Sequence, residues 1–245
     1  LDEETGMTGA QGLDPSIIRG RIMLNLDSED DGVLFVGCAG GCDTKMALQA
    51  PRRPIDSDRE LLAVSVAGLQ GGHSGLDINA GRMNAIHALT RMLQRASGRV
   101  PMALVSIEGG SKRNAIPREA KAVVALPTHG REAFRLAIEE ARTKLVEQYA
   151  GLDDGLTATV AVVSDSGGDA FDDEGTARIL RLLRAVPAGV QAMSQDIPGL
   201  VETSTNLGVV QTEHDTVKTT SCSRSSVAPA LDGVLEALDS VGRLA

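Results

Sequence analysis

Hydrophobic positions along this chain switch repeatedly between a period of two and a period of three to four. In ELLAVSVAGL, Leu62, Val64 and Val66 alternate with their neighbours, which predicts a strand. In INAGRMNAIHALTRMLQRAS, Met83, Ile86, Leu89 and Leu93 fall on one helical face, and Gly98 closes it. PMALVSIEGG and REAKAVVALP read as two further strands joined by the turn-rich GGSKRNAIP. GREAFRLAIEEARTKLVEQYAG places Phe134, Ile138, Ala141 and Leu145 on one side of a helix that stops at Gly151. LTATVAVVSD is again a strand, so residues 61–165 run β-α-β-β-α-β, the ferredoxin-like order.

A second half follows. DEGTARILRLLRAV predicts a helix, VETSTNLGVVQ and TVKTTSCSRSS predict strands around the turn TEHD, and APALDGVLEALDSVGRL predicts a closing helix with Leu231, Leu235, Leu238 and Val241 inward. The expected class is α/β (α+β): an open, mostly antiparallel sheet with helices on one face. Residues 1–40 hold two short strand candidates, GRIMLNLD and GVLFVGCA, and do not continue the pattern. The expected division is 1–40 and 41–245, with QAPRRPIDSD as a linker-like stretch.

Composition narrows the function. A net charge of −9 repels phosphate backbones, and 2% aromatic residues leave no stacking platform, so nucleic acid is excluded. The apolar runs are too short for a membrane span, and no basic segment leads into one, so no signal peptide is expected. Cys38, Cys42 and Cys222 lack framework spacing and read as reduced thiols of a cytoplasmic protein.

Four stretches could carry chemistry. Adjacent Glu3 and Glu4, with Asp27 in MLNLDSEDDG, offer carboxylates for a hard or borderline cation and a base for its water; on composition alone they read equally as solvated surface acids. His73 sits among Gly71, Gly72 and Gly75, where backbone can approach a ligand closely and the ring can polarise a carbonyl; the alternative is a glycine-rich helix entry with an incidental histidine. Asn114 lies in a proline-containing turn and can donate to a carbonyl or simply stabilise that turn. Arg224, near Glu202, Thr203, Ser204 and Asn206 on the adjacent predicted strand, presents a planar fork suited to a carboxylate, or is one exposed residue of a polar sheet face. His87, His129 and His214 have no partner spacing, and no G-x-S-x-G elbow exists.

Taken in order, DEETGMTGA, LNLDSED, VGCAGG, GLQGGHSGLDIN, GGSKRNAIPRE, DIPGLVETSTNLG and SRSS resemble the Xaa-His (carnosine-cleaving) dipeptidases of the co-catalytic dizinc metallopeptidase family. The resemblance spans nearly the whole chain. It implies metal-dependent hydrolysis of Xaa-His dipeptides, with two divalent ions, zinc first and manganese or cobalt as alternatives. It implies Glu3 as general base, Glu4 and Asp27 as ligands to the two metals, and His73 as the lid histidine that stabilises the oxyanion. Asn114 and Arg224 match substrate-contacting positions, Arg224 as the carboxylate clamp. Residues 1–40 would end a catalytic segment, and 41–245 would form a lid that pairs in a homodimer. The family's His-x-Asp, bridging Asp and last metal His have no counterpart here, so the chain resembles an internal fragment whose isolated activity is not expected. Two other readings stand beside it: a non-catalytic self-association module, and an aminoacylase- or tripeptidase-type relative.

Overall fold

The computed structural model describes residues 8–26, 31–35, 37–163 and 168–245. The chain forms two compact units, residues 1–37 and 38–245. In the first, α1 (Thr8–Gln11) precedes a 3₁₀ turn, Pro15–Ile17, whose start is capped by the Asp14 carboxylate accepting from the Ser16 amide at 2.9 Å. The predicted strand over GRIMLNLD does not form among the described residues: 22–26 carry no regular structure, and Ile22, Met23, Leu24 and Leu26 are more than 80% exposed. The described part of GVLFVGCA is likewise unpaired. A strand needs a neighbouring strand, and no ladder reaches these segments among the described residues.

The second unit is built on one antiparallel sheet. Its strands are β1 (Gly40–Gln49), β3 (Arg59–Ala67), β5 (Ala103–Gly109), β7 (Ala120–Pro127), β8 (Thr157–Val162), β11 (Val201–Glu213) and β12 (Thr216–Ser225), in the order β1-β12-β11-β5-β7-β3-β8. β10 (Gly189–Met193) also pairs with β11. Two small ladders, β2 (Arg52–Pro54) with β9 (Asp169–Phe171) and β4 (Gly72–His73) with β6 (Ala115–Ile116), stand apart from it. The β3, β5, β7 and β8 portion has the ferredoxin-like order expected from the β-α-β-β-α-β pattern. β1 was not anticipated as part of this sheet. It pairs with β12 over ten residues, so the chain is already inside the sheet before QAPRRPIDSD begins.

Helices α2 (Ala85–Ser97), α3 (Arg131–Gln148), α4 (Asp173–Ala185) and α5 (Ala228–Leu244) complete the unit. α2 is the hub: Ile86, Leu89, Met92 and Leu93 are fully buried, each contributing on the order of 1.5–3 kcal/mol of burial energy. Its start lies later than the pattern suggests, because Ile78–Ala80 is a 3₁₀ turn and Gly81 turns left-handed before the helix begins. Asn84 caps α2, its side-chain oxygen accepting from the Ile86 and His87 amides at 3.0 and 3.3 Å. All four predicted face residues of α3 are buried. α5 departs from expectation: of its four predicted inward residues only Leu238 is buried, and Leu231, Leu235 and Val241 are half-buried. It packs over the β1 end of the sheet and against α4.

Candidate functional site

β12 sets one side of the site. Arg224 stands opposite Ser204 of β11 and Gly41 of β1, while Ser223 and Ser225 point to the other face of the sheet. On that other face Thr203 meets Ser225, and Thr205 meets Ser223, through hydroxyl contacts of 2.9 Å. The Arg224 Nε is buried and has no hydrogen-bond partner among the described residues. An unpaired charged donor away from water costs free energy, which a matching acceptor would recover.

Two joined loops complete the site, and the first reaches Arg224. The first, residues 71–82, carries His73. Its imidazole Nδ1 accepts from the Gly75 and Leu76 amides at 3.2 and 3.1 Å. Because Nδ1 is an acceptor, the ring proton belongs on Nε2, which remains able to donate. The Asp77 carboxylate accepts from the His73 amide at 2.8 Å and pairs with Arg82 at 3.0 Å. Gly72 has φ +135°, and a side chain there would run into Asp77 and Arg82, so the ladder between β4 and β6 requires glycine at this point. A Cβ placed on Gly75 would lie 3.1 Å from the His73 ring and 3.4 Å from the Arg224 Nε. His73 and Arg224 therefore border one small space.

The second loop, residues 111–116, carries Asn114. Its carbonyl accepts from the Ser74 amide at 2.8 Å, and the next residue, Ala115, pairs with His73 across β4 and β6. The loop is seated on the bulge of β11 between Leu207 and Val209. A Cβ on Gly208 would meet the Arg113 carbonyl oxygen at 2.5 Å, so only glycine lets the two backbones come this close. Asn206 donates to the Ala115 carbonyl at 2.8 Å, and Asn84 donates to the Leu207 carbonyl at 2.9 Å. Arg113 ties the same loop to Asp43 of β1 at 3.0 Å.

The structure thus brings His73 and Arg224 together around Gly75, while Asn114 is joined to the His73 loop through its backbone carbonyl. Glu3, Glu4 and Asp27 lie outside the described residues. Among the described residues no group of three or more His, Cys, Asp or Glu side chains is placed to hold a metal ion. A cleft of about 880 Å³ lies beside the site, lined by Ser65, Lys121 and Glu108 from the sheet, by Lys112 from the second loop and by Arg118 just after it. It reaches Gly72 and Ala115 but not His73, Asn114 or Arg224. Asp77, Arg82, Asn84, Gly208 and the buried Asp153 were not anticipated from the sequence, and Asn206 was anticipated only as a neighbour of Arg224, not as the link to the second loop. Asp77 alone had a local signal, an acid four residues after His73 where it can reach back to that residue's amide.

Residues 64–153 match the peptidase dimerisation domain family. The whole chain is 34% identical, over 246 residues, to cytosol non-specific dipeptidase of Escherichia coli (strain K12), covering 100% of this chain and 50% of that protein. It is similar to the crystal structure of aminoacylhistidine dipeptidase from Vibrio alginolyticus, with a TM-score of 0.87 and 36% identity, covering 99% of this chain and 49% of that one. The chain spans about half the length of these relatives. None of its described helices is long and apolar enough to cross a membrane. The chain is homologous along its length to cytosol non-specific dipeptidase of Escherichia coli and to aminoacylhistidine dipeptidase of Vibrio alginolyticus, and its residues 64–153 match the peptidase dimerisation domain.

Proposed function

We propose that this chain is the lid region, with a short catalytic segment at residues 1–40, of a cytoplasmic metal-dependent dipeptidase that hydrolyses Xaa-His dipeptides. The observation that carries the reading is the convergence of the His73 ring and the Arg224 guanidinium around Gly75. Arg224, with its Nε lacking an acceptor, takes the C-terminal carboxylate of the dipeptide. His73 donates from Nε2 to the oxygen of the scissile carbonyl as negative charge develops there. Asn114, on the neighbouring loop, holds the same carbonyl in register. Glu3 serves as general base for the attacking water, and Glu4 and Asp27 are donors to a pair of divalent ions, zinc first. When bound, such ions polarise the carbonyl and make water nucleophilic near neutral pH. Two carboxylates fall short of the four ligands a zinc ion usually takes, so the remaining donors come from outside this set.

The carboxylate clamp is tested with a substrate pair in the full-length protein. Arg224→Ala raises KM for a Xaa-His dipeptide by ~10- to 100-fold, as expected for a charge-assisted hydrogen bond worth about 1.5–3 kcal/mol. The same substitution leaves KM for the C-terminal amide of that dipeptide nearly unchanged. Equal losses on both substrates would remove Arg224 from the carboxylate.

We further propose a homodimer formed along β8. Among the described residues β8 pairs only with β3. The Val163 amide donates to Leu61 at 2.9 Å, so alternation along the antiparallel ladder turns the amides of Ala158 and Val160 toward the open edge. Ala158→Pro removes an edge donor without removing a bond to β3. Light scattering is expected to show a monomer with a retained cooperative melt; a persisting dimer would place the interface elsewhere.

A further inference from the structure

The loop that carries His73 leaves the sheet after β3 and returns at the start of α2. The two points where it leaves and returns are joined by one buried carboxylate. Asp153, 1% exposed, accepts from the Gln70 amide through Oδ1 at 2.8 Å and from the Met83 amide through Oδ2 at 2.6 Å. These donors stand directly before and after residues 71–82. Inside the neck, Arg82 donates to the Gly71 carbonyl at 2.6 Å and pairs with Asp77, which in turn holds the His73 amide. Asp153 is itself fixed by its amide donating to the Tyr149 carbonyl at 3.1 Å, at the end of α3. No ion pair to Asp153 is present among the described residues. Taking a carboxylate out of water is costly, and here the compensation comes from the two loop amides.

We infer that Asp153 is a positioning residue for His73, with Arg82 as the second point of the same clamp. The inference rests on the reading of His73 as the donor to the substrate carbonyl. The physical link is the tautomer. His73 keeps its proton on Nε2 only while the Gly75 and Leu76 amides face Nδ1, and those amides are in place only while the loop keeps its shape. Both oxygens of Asp153 are used, one for each end of the loop. An asparagine there would turn an NH₂ group against one of the two amides, losing one bond and adding a donor–donor contact. The role therefore calls for the carboxylate itself, and shape alone does not satisfy it.

The test reads the ring directly. In this chain, ¹⁵N NMR of His73 is expected to show one acceptor-type Nδ1 and one protonated Nε2 in the wild type and in Asp154→Asn, an exposed neighbour. In Asp153→Asn the two shifts move toward each other as the tautomers mix. In the full-length protein Asp153→Asn lowers kcat by ~10- to 100-fold with KM changed less than about two-fold, since misplacement of a catalytic group by ~1 Å can cost that much. Arg82→Gln produces the same shift change and carries the test if Asp153→Asn does not fold. Wild-type His73 shifts in whichever variant folds overturn the positioning role. Altered shifts in a full-length protein that hydrolyses no dipeptide would instead overturn the functional reading and leave the clamp standing.

Discussion

His73→Ala lowers kcat/KM for a Xaa-His dipeptide by about 10²- to 10³-fold in the full-length protein and leaves its metal content unchanged. The size follows from the task assigned to the ring. A preorganised donor to a developing oxyanion contributes about 2.7–4 kcal/mol to the barrier when water is excluded. The orientation is already set before substrate arrives, with Nδ1 engaged by two amides and Nε2 left to donate. Because the ring sits beside Arg224, a substrate anchored by its carboxylate would present its peptide bond close to Nε2. Steady-state kinetics and elemental analysis of the same preparation check the prediction. Loss of metal with loss of activity would make His73 a ligand, and a change below about five-fold would remove it from the chemistry.

Stability falls with acid more steeply in the wild type than in His87→Gln. His87 lies on α2 beside the end of α4. The residue keeps some surface, but its Nε2 is buried and unpartnered. Burial first, then the positive charges of Arg184 and Arg91, push its pKa down to about 4, with the nearby Val186 backbone opposing them only in part. Unfolded, the same ring titrates near 6.5. Between these values the unfolded chain binds a proton that the folded chain refuses, so the stability present above pH 6.5 is lost as pH falls toward 4. The full loss is about 3 kcal/mol, of which about 2 kcal/mol falls between pH 7 and pH 5. Urea unfolding at these two pH values, in wild type and His87→Gln, measures the difference directly. Parallel curves would mean that the ring charges within the fold without penalty.

Periodicity alone predicted the helices and most of the large sheet. Long amphipathic segments such as α3 show their buried face because one side of the helix meets one core. β1 was missed although Cys42, Thr44, Met46 and Leu48 alternate with Asp43, Lys45, Ala47 and Gln49, because its partner β12 lies more than 160 residues away and only that pairing gives the alternation meaning. The opposite error occurred at GRIMLNLD, where apolar residues suggested a strand but no ladder is present among the described residues. The candidate site divides in the same way. His73, Asn114 and Arg224 were visible as chemically able residues in turn- or strand-like contexts. What brings them together was not visible: the bulge at Gly208, the Asn206 and Asn84 bridges, and the Asp153 clamp all act across distances of more than 60 residues. In the sequence, Asp153 is one of two adjacent acids after a helix and reads as surface. Its importance comes only from the two amides that fold over it.

In the proposed reaction Arg224 holds the carboxylate of a dipeptide whose carbonyl His73 polarises. The most direct measurement is the rate of Xaa-His hydrolysis by the full-length protein, stripped of metal by chelation and then reloaded with zinc. The expected result is turnover that vanishes on stripping, returns on reloading, and is lost when the dipeptide carboxylate is amidated. Absence of dipeptide hydrolysis in the reloaded protein, or equal turnover of the free and amidated dipeptides, would contradict it.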